Sequence, residues 1–183
     1  IPPTLIISEY FDYEAPYPSD IAKAIEIYNA GTEAVELKTS DGKERCKITI
    51  TSEGPMTTDI NVYASEVQKI APKGTFTLCN KDLYINGIDP NCNVTNTNLI
   101  FTGDDSIELN CEGHTVDFMG NLIEKAEKPV KWGENLHIRR KCSITEPTPS
   151  KTKTFDYNLE WEGQKLTDMK EIDLSTLGSH CQE

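Results

Sequence analysis

Two kinds of residue in this 183-residue chain have types and spacings that suit chemistry: carboxylates set in or beside apolar stretches, and six scattered cysteines. Glu9 interrupts the apolar run Leu5-Ile6-Ile7, and Glu26 stands between Ile25 and Ile27. Asp104 and Asp105 follow Gly103 in a turn just before Ile107-Glu108-Leu109. Hard oxygen donors gathered from several strands and loops are what calcium takes, so Glu9, Glu26, Asp104 and Asp105 are a candidate calcium set. No loop with regularly spaced ligands accompanies them. The same carboxylates have a second use: accepting backbone N–H bonds at turns, or pairing with a cation such as Lys23 or Arg139. Both readings stand at this point. His114, His137 and His180 are far apart and read as surface or cap residues. HExxH, GxSxG and a phosphate-binding Gly-rich loop do not occur in the chain. A hydrolase would therefore need a site assembled only by folding.

The cysteines stand at 46, 79, 92, 111, 142 and 181, with no CxxC pair and no histidine at zinc-finger spacing. That argues against structural zinc. Their even number and wide dispersion point to three disulfides and an oxidising compartment; buried free thiols are the alternative. Asn93-Val94-Thr95 is a sequon, which makes Asn93 a candidate glycosylation site. Tyr13 and Tyr17, in the proline-containing stretch after Tyr10, are candidate ligand-facing aromatics for a sugar or a protein partner. Trp161 reads as a core plug beside Phe155.

Composition narrows the classes. The formal net charge is −12, from 30 acidic and 18 basic residues, which disfavours a nucleic-acid partner through repulsion of phosphates. No apolar run reaches the length of a transmembrane helix. The chain starts at Ile1, as a mature or trimmed form would, so an export signal is compatible with it.

The elements that must position these residues read as strands. Leu5–Tyr10 and Lys23–Asn29 alternate with period two and predict partner strands, each with one buried face. Asn29 and Gly31 supply turn chemistry, so a hairpin to Val35-Glu36-Leu37 is expected. The prolines of Pro16–Asp20 demand a loop, and Asp41-Gly42 predicts a turn before the Cys46–Thr51 strand. Gly54-Pro55 closes that strand, Ile60–Ala64 and Thr75–Cys79 follow, and Phe76 and Leu78 should face the core. Asn80–Asn98 reads as loop, with room for a short helix. Ile107–Leu109 and Val116–Gly120 form a hairpin, Leu136–Arg140 is one more strand, and Ser143–Thr154 is irregular. Many short strands separated by turns predict an all-β sandwich with at most short helices.

Several of these pieces resemble the lamin-tail domain, an immunoglobulin-like module, and its secreted microbial branch in particular. They are Ile7-Ser8-Glu9-Tyr10, Lys23 to Gly31, Ile70 to Phe76, Phe101 to Asp105, Val116 to Gly120, Leu136 to Lys141, Phe155 to Trp161 and Leu177-Gly178-Ser179-His180. Thr102 stands where the family carries Asn. The resemblance covers about Leu5 to His180 in order, and implies one immunoglobulin-like domain over 1–183, residues 143–183 packing on it as an extended segment. It also implies a secreted or cell-surface binding or adhesion domain without an active site. An acidic calcium-binding matrix component and a small secreted hydrolase are the alternatives, and the ligand, protein or glycan, is unnamed. From the family pattern, Glu9, Glu26 and Asp104 are expected to share a network.

The cysteines are outside that pattern. Cys79 ends a strand and Cys92 lies in the irregular segment after it, so a bridge between them would staple that loop. Cys142 ends the Leu136 strand and Cys181 follows the closing Leu-Gly-Ser-His, which suits a second bridge. Cys46 with Cys111 is then the third; Cys46 with Cys142 is the competing arrangement.

Overall fold

Alternating apolar residues extend into strands here because each strand can bury a face against an opposing sheet. In the computed structural model, which describes residues 4–14, 22–81, 83, 90–124 and 129–182, twelve strands form in this way. They are β1 (Leu5–Asp12), β2 (Lys23–Asn29), β3 (Val35–Glu36), β4 (Cys46–Ser52), β5 (Met56–Asn61), β6 (Lys69–Ile70), β7 (Thr75–Asn80), β8 (Val94–Asn96), β9 (Ser106–Cys111), β10 (His114–Met119), β11 (Leu136–Arg140) and β12 (Trp161–Lys165). A six-stranded sheet runs β12-β11-β1-β2-β7-β8 and a four-stranded sheet runs β10-β9-β4-β5. All neighbours are antiparallel except β7 and β8.

The main core lies between the two sheets. Leu5, Ile7, Tyr10, Ile25, Ile27, Phe76 and Leu78 meet Ile48, Ile50, Ile60, Ile107 and Leu109 there. β4 shows the alternation plainly: Cys46, Ile48 and Ile50 are buried, while Lys47 and Thr49 are half-buried. The predicted all-β sandwich is present, with only two 3-10 turns, Met169–Glu171 and Leu174–Thr176, among the described residues. No described helix is long and apolar enough to cross a membrane.

Several local expectations are corrected. β1 and β2 are buried on both faces, not one, because the chain after β12 folds back over the outer face of the six-stranded sheet. There Leu166, Ile172, Leu174 and Leu177 pack on Phe11, Ala24 and Cys79 as a second core. β3 does not form a hairpin with β2; it pairs with β6 in a separate ribbon, and β2 lies between β1 and β7. β5 starts earlier than Ile60, as the other arm of a hairpin with β4. Val94–Asn96 is a strand rather than loop, held parallel to β7, and Trp161–Lys165 completes the edge beside β11. The Pro16–Asp20 loop, and the part of Asn80–Asn98 where a short helix had room, lie outside the described residues.

The disulfides join Cys46 to Cys111, Cys79 to Cys92, and Cys142 to Cys181. Cys46 and Cys111 are direct partners on β4 and β9. The second bridge ties β7 to the approach to β8, and the third ties the end of β11 to the C-terminal segment.

Candidate functional site

A single polar row crosses the outer face of the six-stranded sheet. Arg139 on β11, Glu9 on β1, Glu26 on β2 and Thr77 on β7 are successive cross-strand partners. The register slips between Ile7 and Glu9; a bulge of this kind puts an extra residue opposite one partner. Ser8 is that residue, and its hydroxyl donates to Glu26 Oε1 at 2.7 Å. Glu9 and Glu26 are both wholly buried.

The partners above this row come from the C-terminal segment. Gly178 N–H donates to Glu26 Oε2 at 2.7 Å, and the Thr176 hydroxyl donates to Glu9 Oε1. His137 Nε2 lies 2.6 Å from the same oxygen, Arg139 Nε lies 3.4 Å from Glu9 Oε2, and Arg139 donates to the Ser179 carbonyl at 2.7 Å. His180 is buried against Tyr28, with ring centroids 4.7 Å apart. Gly178 has φ +98°, and a Cβ there would meet the Asn91 side chain at 2.4 Å, so the segment needs glycine to reach Glu26. The row and its cover act as a clasp that closes the chain over the sheet.

Burial, reinforced by the neighbouring Glu9 carboxylate, pushes Glu26 up to about 7 against the pull of its Ser8 hydrogen bond. Burial pushes His180 the other way, to about 4, with the Arg139 charge adding to the effect. The folded chain thus keeps a proton on Glu26 that the unfolded chain, at the ordinary 4.5, has released. Rising pH through that window removes stability. His180 has the opposite sign: its contribution is complete above its ordinary 6.5 and is lost as pH falls towards about 4. Above pH 6.5 only the carboxylate effect remains. The thermal midpoint is therefore expected to fall by a few degrees between about pH 6.5 and 8. Asp12, which burial also pushes up to about 7, titrates in the same window, so Glu26→Gln should lessen that fall rather than abolish it. A midpoint that rises over this range would contradict the assignment.

Asp104 and Asp105 stand apart from the clasp, which corrects the expected sharing of Glu9, Glu26 and Asp104. Successive strand residues face opposite ways. Glu9 faces the outer layer, whereas Tyr10 faces the inter-sheet core and feels the charges of Asp104 and Asp105. Those two aspartates hold their own turn: Thr102 N–H donates to Asp105 Oδ2 at 2.9 Å and the Thr102 hydroxyl to Asp104 Oδ1 at 2.5 Å. Among the described residues no group of three or more His, Cys, Asp or Glu side chains comes together as a metal site would need.

The remaining candidates also find places. Tyr13 is buried in the second core with Phe11 and Leu174, so it is packing material rather than a ligand-facing ring. Tyr17 lies outside the described residues. Asn93 is half-buried, and its side-chain oxygen accepts the Thr77 N–H at 2.8 Å. Trp161 is in the main core, but the ring contact of Phe155 is with Trp132, edge-to-face at 4.9 Å between centroids. Trp161 instead lies under the Arg140 guanidinium, 4.9 Å away. The reading of the histidines as surface residues holds for the exposed His114 and fails for the buried His180 and the half-buried His137.

Sequence reasoning passed over Ser8, His137, Thr176 and Gly178 as members of one cluster. A signal existed for His137: in Leu136-His137-Ile138-Arg139 the alternation puts it on the same face as Arg139. Thr176 and Gly178 had none, because their partners are 167 and 152 residues away. No protein-family model, curated protein or solved structure matches this chain.

Proposed function

We propose that this chain is a lamin-tail-like domain of the cell exterior that works by binding and turns over no substrate. The observation that carries the reading is the contrast between the two outer sheet faces. On the six-stranded sheet, Glu9, Glu26 and Arg139 are occupied in holding the C-terminal segment. On the four-stranded sheet, Lys47, Thr49 and Thr51 of β4 stand beside Asp59 and Asn61 of β5 and Asn110 of β9, all half-buried or exposed. Such a face offers hydrogen-bond donors and acceptors to a glycan or a polar protein surface. The net charge of −12 argues against nucleic acid. Three disulfides suit secretion. The family-like segments Ile7–Tyr10 and Lys23–Asn29 lie in paired central strands, and the Leu177–His180 segment closes over them, which favours the lamin-tail resemblance.

The test has three arms. Arrayed glycans and extracellular-matrix proteins are expected to give saturable binding that Thr49→Arg, an outward-facing change, abolishes without altering the far-UV spectrum. Binding that ignores this change, or none at all, overturns the proposed face. Calcium titrated by calorimetry is expected to give no saturable heat, because Glu9 Oε1 and both Glu26 oxygens already accept hydrogen bonds and Glu9 Oε2 faces the Arg139 guanidinium at 3.4 Å; saturable heat would favour the ionic, matrix-component reading. Phosphoester and glycan substrates are expected to remain uncleaved, and turnover lost in Glu9→Gln would favour a hydrolase.

A further inference from the structure

Asp12 on β1 and Lys23 on β2 are direct cross-strand partners, and both side chains are wholly buried. Lys23 Nζ is in contact with Asp12 Oδ1. The other oxygen, Oδ2, accepts the backbone N–H of Asn135 at 3.2 Å. The pair sits among aromatic rings: Nζ is 5.5 Å from the centroid of Phe101, and Tyr10 lies 5.2 Å from Phe101 and 5.0 Å from Trp132. A third ionisable side chain is at hand. Asp105 is buried beside the same rings: its backbone carbonyl accepts the Trp132 indole N–H at 3.1 Å, and the Lys23 charge is among the influences that lower its carboxyl. A buried ion pair carries a desolvation cost that its attraction repays only in part. Transfer of one proton turns such a pair into an amine and a carboxylic acid held in contact and shielded from bulk water.

We propose that Lys23 Nζ and Asp12 Cγ condense into an intramolecular amide bond, with Asp105 carrying the proton. The first ammonium proton passes to Asp12. The amine lone pair then forms the N–C bond at Cγ, while Asn135 N–H steadies the charge that develops on Oδ2. A second proton leaves the nitrogen for the Asp105 carboxylate, which delivers it to the Oδ1 hydroxyl. The Cγ–Oδ1 bond breaks, its electron pair departs with the oxygen, and one water is released. One ammonium and one carboxylate become one amide and one water, so no oxidant or second reactant is consumed. Oδ2 becomes the amide carbonyl and keeps its Asn135 hydrogen bond.

The environment supports each role. Burial pushes the Asp12 carboxyl upward, towards the protonated form that condensation needs, although Lys23 pulls the other way. Burial likewise lifts Asp105 to about 6, where a carboxyl exchanges protons readily near neutrality. Contact in a fixed geometry removes the entropic cost of bringing amine and acid together. The bond would join the two central strands of the six-stranded sheet and, unlike the three disulfides, would survive reductant. This inference stands apart from the binding function.

Mass spectrometry of the intact, reduced and alkylated chain tests it. The mass is expected to fall short of the sequence mass by one water. No Lys or Arg lies between Asp12 and Lys23, so the two share one tryptic peptide. The amide should block cleavage after Lys23 and suppress backbone fragment ions between the two residues. A full mass with normal cleavage after Lys23 overturns the proposal and leaves an ion pair only. A water lost elsewhere, as from a cyclised Asp41-Gly42, would leave that cleavage intact and equally counts against it. Asp105→Asn is expected to restore the full mass with an unchanged far-UV spectrum; a persisting water deficit in that variant would refute the role of Asp105.

Discussion

Asp117→Ala is expected to destabilise the fold by about 3–5 kcal/mol, the usual cost of breaking a buried ion pair from one side. Asp117 on β10 is wholly buried, and Arg140 at the end of β11 is 1 % exposed. Their oxygen and nitrogen are 2.9 Å apart, and Arg140 also reaches Glu160 at 2.9 Å and the Ile7 carbonyl at 3.2 Å. Asp117 in turn accepts the Ile7 and Thr148 backbone N–H groups, each at 2.8 Å. Truncation would leave a buried guanidinium with only Glu160 as counter-charge and two N–H groups without an acceptor. Because β10 and β1 belong to different sheets, the loss falls on the joint between them. Urea unfolding should show a lower midpoint with an unchanged slope. Exchanging both partners, Asp117→Leu with Arg140→Met, should recover part of the loss by removing the unpaired charge. A single variant within about 1 kcal/mol of the parent, the range of a surface ion pair, would show that the joint is held by packing alone.

Replacing Cys46 and Cys111 together by alanine is expected to cost about 4 kcal/mol, against about 3 kcal/mol for Cys79 with Cys92. The difference follows from loop length. The first bridge spans 65 residues and the second 13, and the chain-entropy stabilisation grows with the logarithm of the closed loop. Cys142 with Cys181 spans 39 residues and falls between them. That third replacement has an additional signature, because Cys181 follows the segment whose Gly178 N–H caps Glu26. It should raise amide exchange at Gly178 and Leu177 before the global transition, whereas the Cys46–Cys111 replacement should act only globally. Equal costs for all three bridges would argue against the entropic account.

The elements around the main core were legible from residue types alone. Alternation in Lys23–Asn29, Cys46–Thr51 and Thr75–Cys79 specifies strands, since a period of two leaves one face apolar. Six dispersed cysteines near strand ends specify staples, and both features are local in the chain. What failed was whatever depends on the neighbour of a strand rather than on the strand itself. Val35-Glu36 pairs with Lys69-Ile70 instead of with the preceding strand, a choice that no local turn signal carries. Glu26 and Tyr28 read as a solvent face, yet are buried because a segment some 150 residues later lies over them.

The candidate site divides along the same line. Glu9 and Glu26 stand out in the sequence because each breaks an apolar run, and Arg139 was available as a cation for them. The bulge at Ser8, the approach of Thr176 and Gly178, and the separation from Asp104 come from tertiary structure only. Lys23 and Asp12 make the point most sharply. Each is an ordinary charged residue at a strand end when read along the chain. Their contact arises from the β1–β2 register, and their surroundings from Phe101, which lies over Lys23, and from the Asn135 N–H that reaches Asp12, both brought in from distant parts of the sequence. Sequence determines which faces can be buried, because hydrophobic periodicity is a property of consecutive residues. Only the packed structure decides what covers each face, and with it which polar groups lose water and must find partners within the protein.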